Sequence, residues 1–351
     1  MGAWDLRQFW GSLTGITQRI LAILFCLSIN LELLLLHKVD HDNYPVLCDT
    51  IENVAGQFGH NGSFLPKLST IYLQKVRKPD GTAEGELVLP SVFLELGNIN
   101  QVQIWRISGS NANNFGNDLL WLARIRELKL FCSFCANDIY GICESAIQLE
   151  SLTLVMTDPR FLIYYGPTPL PGEDINYAIS LCANTLKFLE FRITGKRWFQ
   201  DQIGSLGVLE CLPRLKQLET LRTEIPLIYR SDDIHLSPVE LVGKLPPNIA
   251  SLELIEWPTY PPGLDHFKSA TRHLCDSIFI ALANNDVQLP NLRQIHFLCS
   301  AYNPCFDTEQ LGEERRIFDD CESPISFTWA IDLLQTQAWI LGHLAFTLHR
   351  S

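Results

Sequence analysis

One apolar spacing recurs along most of this 351-residue chain. Large apolar residues occupy the first, fourth and sixth positions of a six-residue motif, as at Leu149, Leu152 and Leu154. The copies span residues 31–36, 68–73, 99–104, 125–130, 149–154, 186–191, 215–221 (a looser copy), 249–254 and 292–297. Successive copies lie about 33 residues apart on average, which is the length of a structural repeat.

The spacing indicates a short strand with one buried face. The last two apolar residues of each motif alternate, as they must if both are to point to the same side of a strand. The first apolar residue lies three positions earlier and enters the same core as the chain bends into the strand. A single unit of this size buries almost nothing, so stability is expected only from a stack of units.

Helical periodicity precedes several of the motifs. Asp138 and Asp174 stand where two of these helices would have their N-caps. Three apolar stripes have the helical spacing, namely Ile20, Ile23, Leu24 and Leu27; Ile139, Ile142, Cys143 and Ala146; and Ile175, Ala178, Ile179 and Cys182. Each stripe ends three or four residues before a motif begins, so the repeating unit is predicted to be a helix, a tight turn and a strand.

The apolar stretch 20–36 has a second interpretation, as a membrane anchor. It holds only 17 residues and is interrupted by Asn30 and Glu32, whereas a membrane-spanning helix needs about 20 predominantly apolar residues. The repeat explains the same stretch as one helix followed by one strand. We therefore expect no membrane association, and a membrane-tethered repeat protein remains an alternative.

With this unit the chain resembles leucine-rich-repeat proteins over roughly residues 16–300. Three pieces resemble repeats of fungal F-box/leucine-rich-repeat proteins, namely Leu65-Pro66-Lys67-Leu68, Leu212-Pro213-Arg214-Leu215 and Leu289-Pro290-Asn291-Leu292. The resemblance implies an α/β fold, a leucine-rich-repeat solenoid with parallel strands on the concave face and helices on the convex face. It also implies recruitment of protein substrates for ubiquitination.

The chain departs from that family in two respects. The family carries Asn or Cys three residues after the last strand leucine, where this chain has residues such as Thr157 and Thr194. Irregular turns are therefore expected. An F-box, the helical module that binds a ubiquitin-ligase adaptor, is not seen, because only about 15 residues precede the first repeat.

The domain organisation follows from these repeats. Residues 1–300 are predicted to form an array of about nine irregular repeats, with its first strand near 31–36. Residues 301–351 are predicted to be a polar loop and a C-terminal cap, because the apolar segment 327–348 could cover the open end of a solenoid.

Charge and cysteine content limit the partners and the compartment. The formal net charge is −12, with 39 acidic and 27 basic residues. An acidic chain without a basic run is a poor ligand for nucleic acid. The 11 cysteines are odd in number and several take the place of apolar residues, which is typical of free buried thiols. We expect a cytoplasmic or nuclear protein.

The sequence contains few candidates for chemistry. Cys132 and Cys135 form a C-x-x-C pair, but no second pair or matching histidines accompany it as a zinc site would require. His37 and its neighbours 40–42 are expected to be a solvated turn, and His266 and His273 lie too far apart to share an ion easily. No common nucleotide-binding, hydrolase or metalloprotease motif occurs. We expect no enzyme, no cofactor and no metal, with a thiol-dependent enzyme or redox protein as the alternative.

The predicted strands carry a candidate binding row. The residue between the two strand leucines must point away from the core, and residues just after the strand leucines share its side. This interpretation selects Tyr72, Gln103, Trp105, Lys129, Phe131, Thr153, Glu190, Arg192, Glu253 and His296. Because Trp, Tyr and Arg are enriched among the residues that dominate protein interfaces, the sequence favours a non-enzymatic scaffold that binds a protein partner.

Overall fold

The computed structural model describes a repeating α/β architecture. It describes residues 15–21, 23–24, 27–28, 30–37, 46, 49–50, 53, 65, 67–74, 101–108, 120–133, 136–156, 175–193, 209–229, 231–256, 265–283, 289–300, 316 and 325–332. At some strand residues the description covers the backbone alone, which fixes their register.

A ten-stranded sheet forms the backbone of the fold. The strands are β1 (Leu33–His37), β2 (Thr70–Gln74), β3 (Gln101–Ser108), β4 (Glu127–Ser133), β5 (Ser151–Met156), β6 (Phe188–Ile193), β7 (Thr220–Glu224), β8 (Ser251–Ile255), β9 (Gln294–Ser300) and β10 (Ser326–Asp332). Their order in the sheet is their order in the chain, and every neighbouring pair is parallel. Such a sheet arises when each strand is followed by a crossover that returns the chain beside it.

Helices occur in several of these crossovers. The α-helices with defined bounds are α1 (Ala136–Ser145), α2 (Ile175–Ser180), α3 (Ile225–Ile228), α4 (Pro238–Val242) and α5 (Asp265–Ala283). Short 3₁₀ turns cover Leu120–Arg124, Leu212–Arg214 and Ser231–His235. In the described ranges, no helix is long and apolar enough to cross a membrane.

The predicted leucine column is confirmed by the register. Residues in the sixth motif position align from strand to strand in the order Leu36, Leu73, Ile104, Leu130, Leu154, Phe191, Thr223, Leu254 and Phe297. From Leu130 to Phe297 these side chains are buried. One core therefore runs along the described part of the sheet, as expected for units that are stable only when stacked.

The seventh strand corrects one motif assignment. The loose copy was assigned to Leu215, Leu218 and Leu221, but Leu221 pairs with Leu189 and therefore occupies the fourth position rather than the sixth. Thr223 takes the sixth position, is fully buried, and donates its hydroxyl to the Phe191 carbonyl oxygen at 2.9 Å. This hydrogen bond satisfies the polar group and allows threonine to replace leucine in the column.

Backbone hydrogen bonds join the repeats at the start of each strand. The carbonyl of Glu150, the residue after the first motif leucine, accepts the N–H groups of Lys187 and Phe188 from the next repeat at 2.8 and 3.0 Å. The carbonyls at 32, 126, 187, 219 and 250 accept a pair of N–H groups in the same way. Because one carbonyl accepts two N–H groups in each case, neighbouring strands have the same offset along this part of the sheet.

Two of the three predicted helical stripes are buried as expected. The four residues of the stripe in α1 and the four around α2 are each at most 3% exposed, and the two helices pack together. The N-cap prediction for Asp138 is wrong, because α1 begins at Ala136 and places Asp138 inside its first turn. Asp174 lies outside the described residues.

The stripe of the N-terminal helical segment is oriented differently from the prediction. This segment is helical at residues 15–21, 23, 24 and 27. Its apolar residues Ile20, Ile23, Leu24 and Leu27 are 52–71% exposed. Gln18 is buried instead, and its Oε1 accepts the Val46 N–H at 3.0 Å. The apolar spacing of this segment therefore does not correspond to a buried face.

The segment predicted as a C-terminal cap contributes a tenth strand. Phe327 and Trp329 of β10 align with Ile295 and Phe297 of β9, so the sheet continues past residue 300. The ring of Phe279 in α5 meets the rings of Phe297 and Phe327 edge-on, with centroids 5.9 and 5.0 Å apart. The last two strands are therefore held by aromatic packing under the longest described helix.

Candidate functional site

The predicted binding residues occupy two rows on the sheet face opposite the leucine column, here called the outer strand face. In the first row Tyr72, Gln103, Lys129, Thr153 and Glu190 pair in register, and Glu253 and His296 continue it after one intervening strand. In the second row Trp105, Phe131, Val155 and Arg192 pair in register. The backbone thus brings all ten predicted residues onto one face.

Arg222 is a residue of this face that the sequence interpretation missed. It fills the first row between Glu190 and Glu253. Its Nε lies 2.8 Å from Oε1 of Glu253 and 3.5 Å from Oε1 of Glu190, while Nη1 of Arg192 lies 3.9 Å from the same Glu190 oxygen. These four residues, together with His296, are called the charge cluster below. A motif that starts at Leu218 and accepts threonine in its sixth position would have identified Arg222 from the sequence, because Arg222 is the fifth residue of that motif.

Burial makes this cluster more than a set of surface ion pairs. The side chains of Glu190, Arg192, Arg222 and Glu253 are only 11–27% exposed. Attraction between charges increases when water is excluded, but each charge loses solvation in return. Among the described residues, Nε of Arg222 has no hydrogen-bond partner, so the cluster is joined at Arg222 by ion pairs.

At Glu253 the loss of solvation has a larger effect on the carboxyl group than the attraction of neighbouring positive charges. Burial raises the pKa of its carboxyl group, although the neighbouring Arg222 and His296 oppose that change. Loss of solvation therefore outweighs attraction even with a guanidinium at 2.8 Å. The result is a carboxylate that would gain from a further cation or a proton.

Two more carboxylates lie at the carboxyl ends of the strands that carry the cluster. Glu224 ends β7, is 1% exposed, and its Oε1 accepts the Ile193 N–H at 3.2 Å. Glu256 follows β8 and is fully buried. Their backbone positions place them at the carboxyl ends of the same parallel strands, so acidic groups are concentrated on this part of the sheet.

The outer strand face changes character along the array. Lys129 is paired with Glu127 of its own strand at 2.7 Å, and Thr153 is only 2% exposed. At the other end His296 Nδ1 and the Thr328 hydroxyl are joined by a 2.8 Å hydrogen bond. Tyr72, Gln103, Trp105 and Phe131 have register positions only, since their side chains lie outside the described part of the chain.

A second charged row marks the start of the strands. Glu150 Oε1 lies 3.7 Å from Nη1 of Arg126, and its Oε2 lies 2.8 Å from Nζ of Lys187. The hydrogen bond from Lys187 lowers the pKa of Glu150, and the same bond raises the pKa of Lys187. These side chains are 37–61% exposed, and exposed pairs contribute little stability. This row therefore serves as a comparison for the buried cluster.

The thiols whose side chains are described lie in the core. Cys143, Cys182, Cys211 and Cys275 are buried, as expected for cysteines in a core. The Cys182 thiol and burial raise the pKa of Cys143, which opposes formation of the nucleophilic thiolate. No group of three His, Cys, Asp or Glu side chains there is arranged to bind a metal. Cys135 and residues 40–42 lie outside the described residues, and the side chain of His266 is not described.

Two comparisons with known proteins identified no family for this chain. A scan against protein-family models found no match, and a search of curated proteins found none either.

Proposed function

We propose that this chain is a leucine-rich-repeat solenoid that acts as a non-enzymatic scaffold for a protein partner. The strands would line the concave side and the helices the convex side, as in the repeat proteins that the sequence resembles. The partner would bind the outer strand face, with the charge cluster and the positions of Tyr72, Trp105 and Phe131 as its two contact areas. No cofactor, metal, nucleic acid or membrane is part of this proposal.

The observation that carries the proposal is the charge cluster. Charged side chains are expensive to bury in a sheet unless they are paired, and a sheet face without a role would be served by small polar residues. Here Glu190, Arg222 and Glu253 come from three successive strands, and Nε of Arg222 lies 3.5 Å from Glu190 and 2.8 Å from Glu253. Side chains fixed in this way lose little conformational entropy when a partner binds.

The charges also indicate what the partner presents. Burial raises the pKa of Glu253 in spite of its arginine neighbour, and the whole chain has a net charge of −12. Complementary charge speeds association and selects partners. We therefore expect a partner segment with a lysine or arginine that lies beside Glu253.

The test compares the proteins captured by the wild-type chain with those captured by matched variants. Quantitative affinity purification is carried out with wild type, Glu253→Gln, Trp105→Ala and the control Asn184→Ala, which changes an exposed residue after α2. A partner of the outer strand face is lost with Glu253→Gln and Trp105→Ala and retained with Asn184→Ala, while the melting temperatures stay within a few degrees. Equal capture by all four proteins contradicts the proposal.

The L-P-x-L pieces support a narrower version in which the chain recognises substrates for a ubiquitin ligase. Leu212-Pro213-Arg214 forms a 3₁₀ turn, and Leu215 donates its N–H to the Leu212 carbonyl at 3.1 Å. The equivalent bond from Leu292 to Leu289 also measures 3.1 Å. These equivalent turns support the likeness to F-box receptors. Recovery of a cullin adaptor with the wild-type chain tests this version, and its absence would leave the general scaffold proposal standing.

A further inference from the structure

An apolar stripe on the N-terminal helical segment faces solvent. Ile16, Ile20, Ile23 and Leu27 are 55%, 52%, 59% and 71% exposed, and Leu24 beside them is 56% exposed. Leu21 adds a sixth exposed side chain at 44%. Soluble proteins expose single apolar residues commonly, but contiguous patches mark interaction sites. This stripe is the most concentrated group of exposed aliphatic side chains in the described part of the chain.

The spacing of the stripe is that of a helix that packs against another helix. Ile16, Ile20, Ile23 and Leu27 are separated by four, three and four residues. This alternation places the side chains on one seam, as in the first and fourth positions of a heptad. Gln18 lies on the opposite side, where it accepts the Val46 N–H and attaches the helix to its own chain. The seam therefore points away from the body of the protein.

The first strand of the described sheet lies at the same end of the molecule. The helical segment leads directly into the first strand through a hydrogen bond from the Leu31 N–H to the Ser28 carbonyl. That strand, β1, has the sequence LLLLH and pairs with β2 alone among the described strands. Its outer edge presents backbone donors and acceptors that can template another strand. Leu33, at the start of β1, is itself 49% exposed.

The exposed area is of the size that a dimer uses. The six exposed fractions add up to about three whole side chains, or roughly 500 Å² if an aliphatic side chain presents slightly less than an aromatic one. A standard interface buries about 800 Å² on each partner. The stripe supplies more than half of that area, and Leu33 with the edge of β1 extends it.

We propose that a second copy of this chain covers the stripe. A twofold axis would bring the same seam from both copies together with the two helices antiparallel, and it would place the edge of β1 beside its counterpart. An apolar seam is self-complementary, and a twofold interface is the commonest way in which soluble chains associate. The single basic side chain on the described part of the seam's flank, Arg19, does not prevent this pairing, since antiparallel helices place the two copies of Arg19 apart. This interface is separate from the outer strand face and does not depend on the proposed function.

The experiment measures the mass of the full chain in solution by light scattering and sedimentation over a wide concentration range. The wild type is expected to have the mass of two chains and to dissociate on dilution. Ile23→Glu should raise the dissociation constant at least 100-fold, because it places two carboxylates in an apolar seam. The matched control is Ile147→Glu, which changes an isoleucine that is 65% exposed outside this region and should change the constant less than twofold.

Hydrogen exchange on the wild type provides a second measurement that does not depend on the folding of a variant. Backbone amides at 15–28 and 33–37 should become more protected as concentration rises, while those of β5 should not change. A monomeric wild type at every concentration overturns the proposal, as does a dimer that survives Ile23→Glu. Binding of a monomer to phosphatidylcholine–phosphatidylserine vesicles, abolished by Ile23→Glu, would overturn it in favour of a membrane surface.

Discussion

Replacement of Arg222 by methionine tests whether the charge cluster stabilises the protein. Methionine keeps most of the length of the side chain and removes the guanidinium group. Glu190 and Glu253, which are 13% and 24% exposed, then lose the cation that lies between them. Removing one partner of a buried ion pair costs about 3–5 kcal/mol when the remaining charge is fully buried. Because Arg192 still lies 3.9 Å from Glu190 and the site is partly exposed, we expect the free energy of unfolding to fall by about 1–3 kcal/mol.

The pH dependence of the stability lost in Arg222→Met distinguishes the contribution of charge from that of packing. Burial already raises the pKa of Glu253 in the folded protein, and loss of Arg222 should raise it further. A folded state that binds a proton more tightly than the unfolded state gains stability as pH falls from above the folded pKa to below the unfolded pKa. The defect of Arg222→Met should therefore be larger at about pH 7 than at about pH 5 in urea unfolding. A defect of equal size at both pH values would show that lost packing, and not charge, is the cause.

The exposed row supplies the matched control. Lys187 and Glu150 are also 2.8 Å apart, but their side chains are 52% and 37% exposed. Lys187→Met should leave the urea midpoint of unfolding nearly unchanged, because exposed pairs contribute little stability. If Lys187→Met and Arg222→Met cost the same, burial does not distinguish the two rows and the reasoning about the cluster fails.

The repeated parts of the fold could be predicted from the sequence because the same apolar spacing occurs in every copy of the motif. Leu128, Leu152 and Leu189 lie in one register row, and the spacing alone placed them there. The same holds for the helices around Ile139 and Ile175, whose stripes repeat at one phase and are buried. The unusual parts were predicted less well, since they depend on contacts between repeats that no single motif contains.

Thr223 and Gln18 show why those parts were missed. Threonine fits the leucine column only because the Phe191 carbonyl is within reach of its hydroxyl, and that geometry appears only when β6 and β7 are aligned. The error in motif phase then concealed Arg222. Gln18 is buried because its amide binds the Val46 N–H, 28 residues away. Gln18→Ala would therefore remove a buried hydrogen bond and is not a neutral surface change.

Three further substitutions test the core, a helix cap and the threonine in the leucine column. Leu152→Ala should lower the free energy of unfolding by about 2–5 kcal/mol, as large-to-small changes in a packed core do, and an unchanged melting curve would contradict the stacking of the strands. Ser237→Ala removes the capping box of α4, in which Ser237 lowers the pKa of Glu240. The stabilising contribution of the Glu240 carboxylate should be present at neutral pH and lost as pH falls through its folded pKa. The difference in stability between Ser237→Ala and wild type should therefore shrink in acid. Thr223→Val keeps the shape of a fully buried side chain but removes the hydroxyl that binds Phe191, and should cost about 1 kcal/mol. Thr223→Leu restores the motif leucine but adds volume to a filled column, and should cost about 1–3 kcal/mol. A leucine variant that melts above the wild type would show that the column has room at this strand, and that the motif rather than the hydrogen bond determines which residue belongs there.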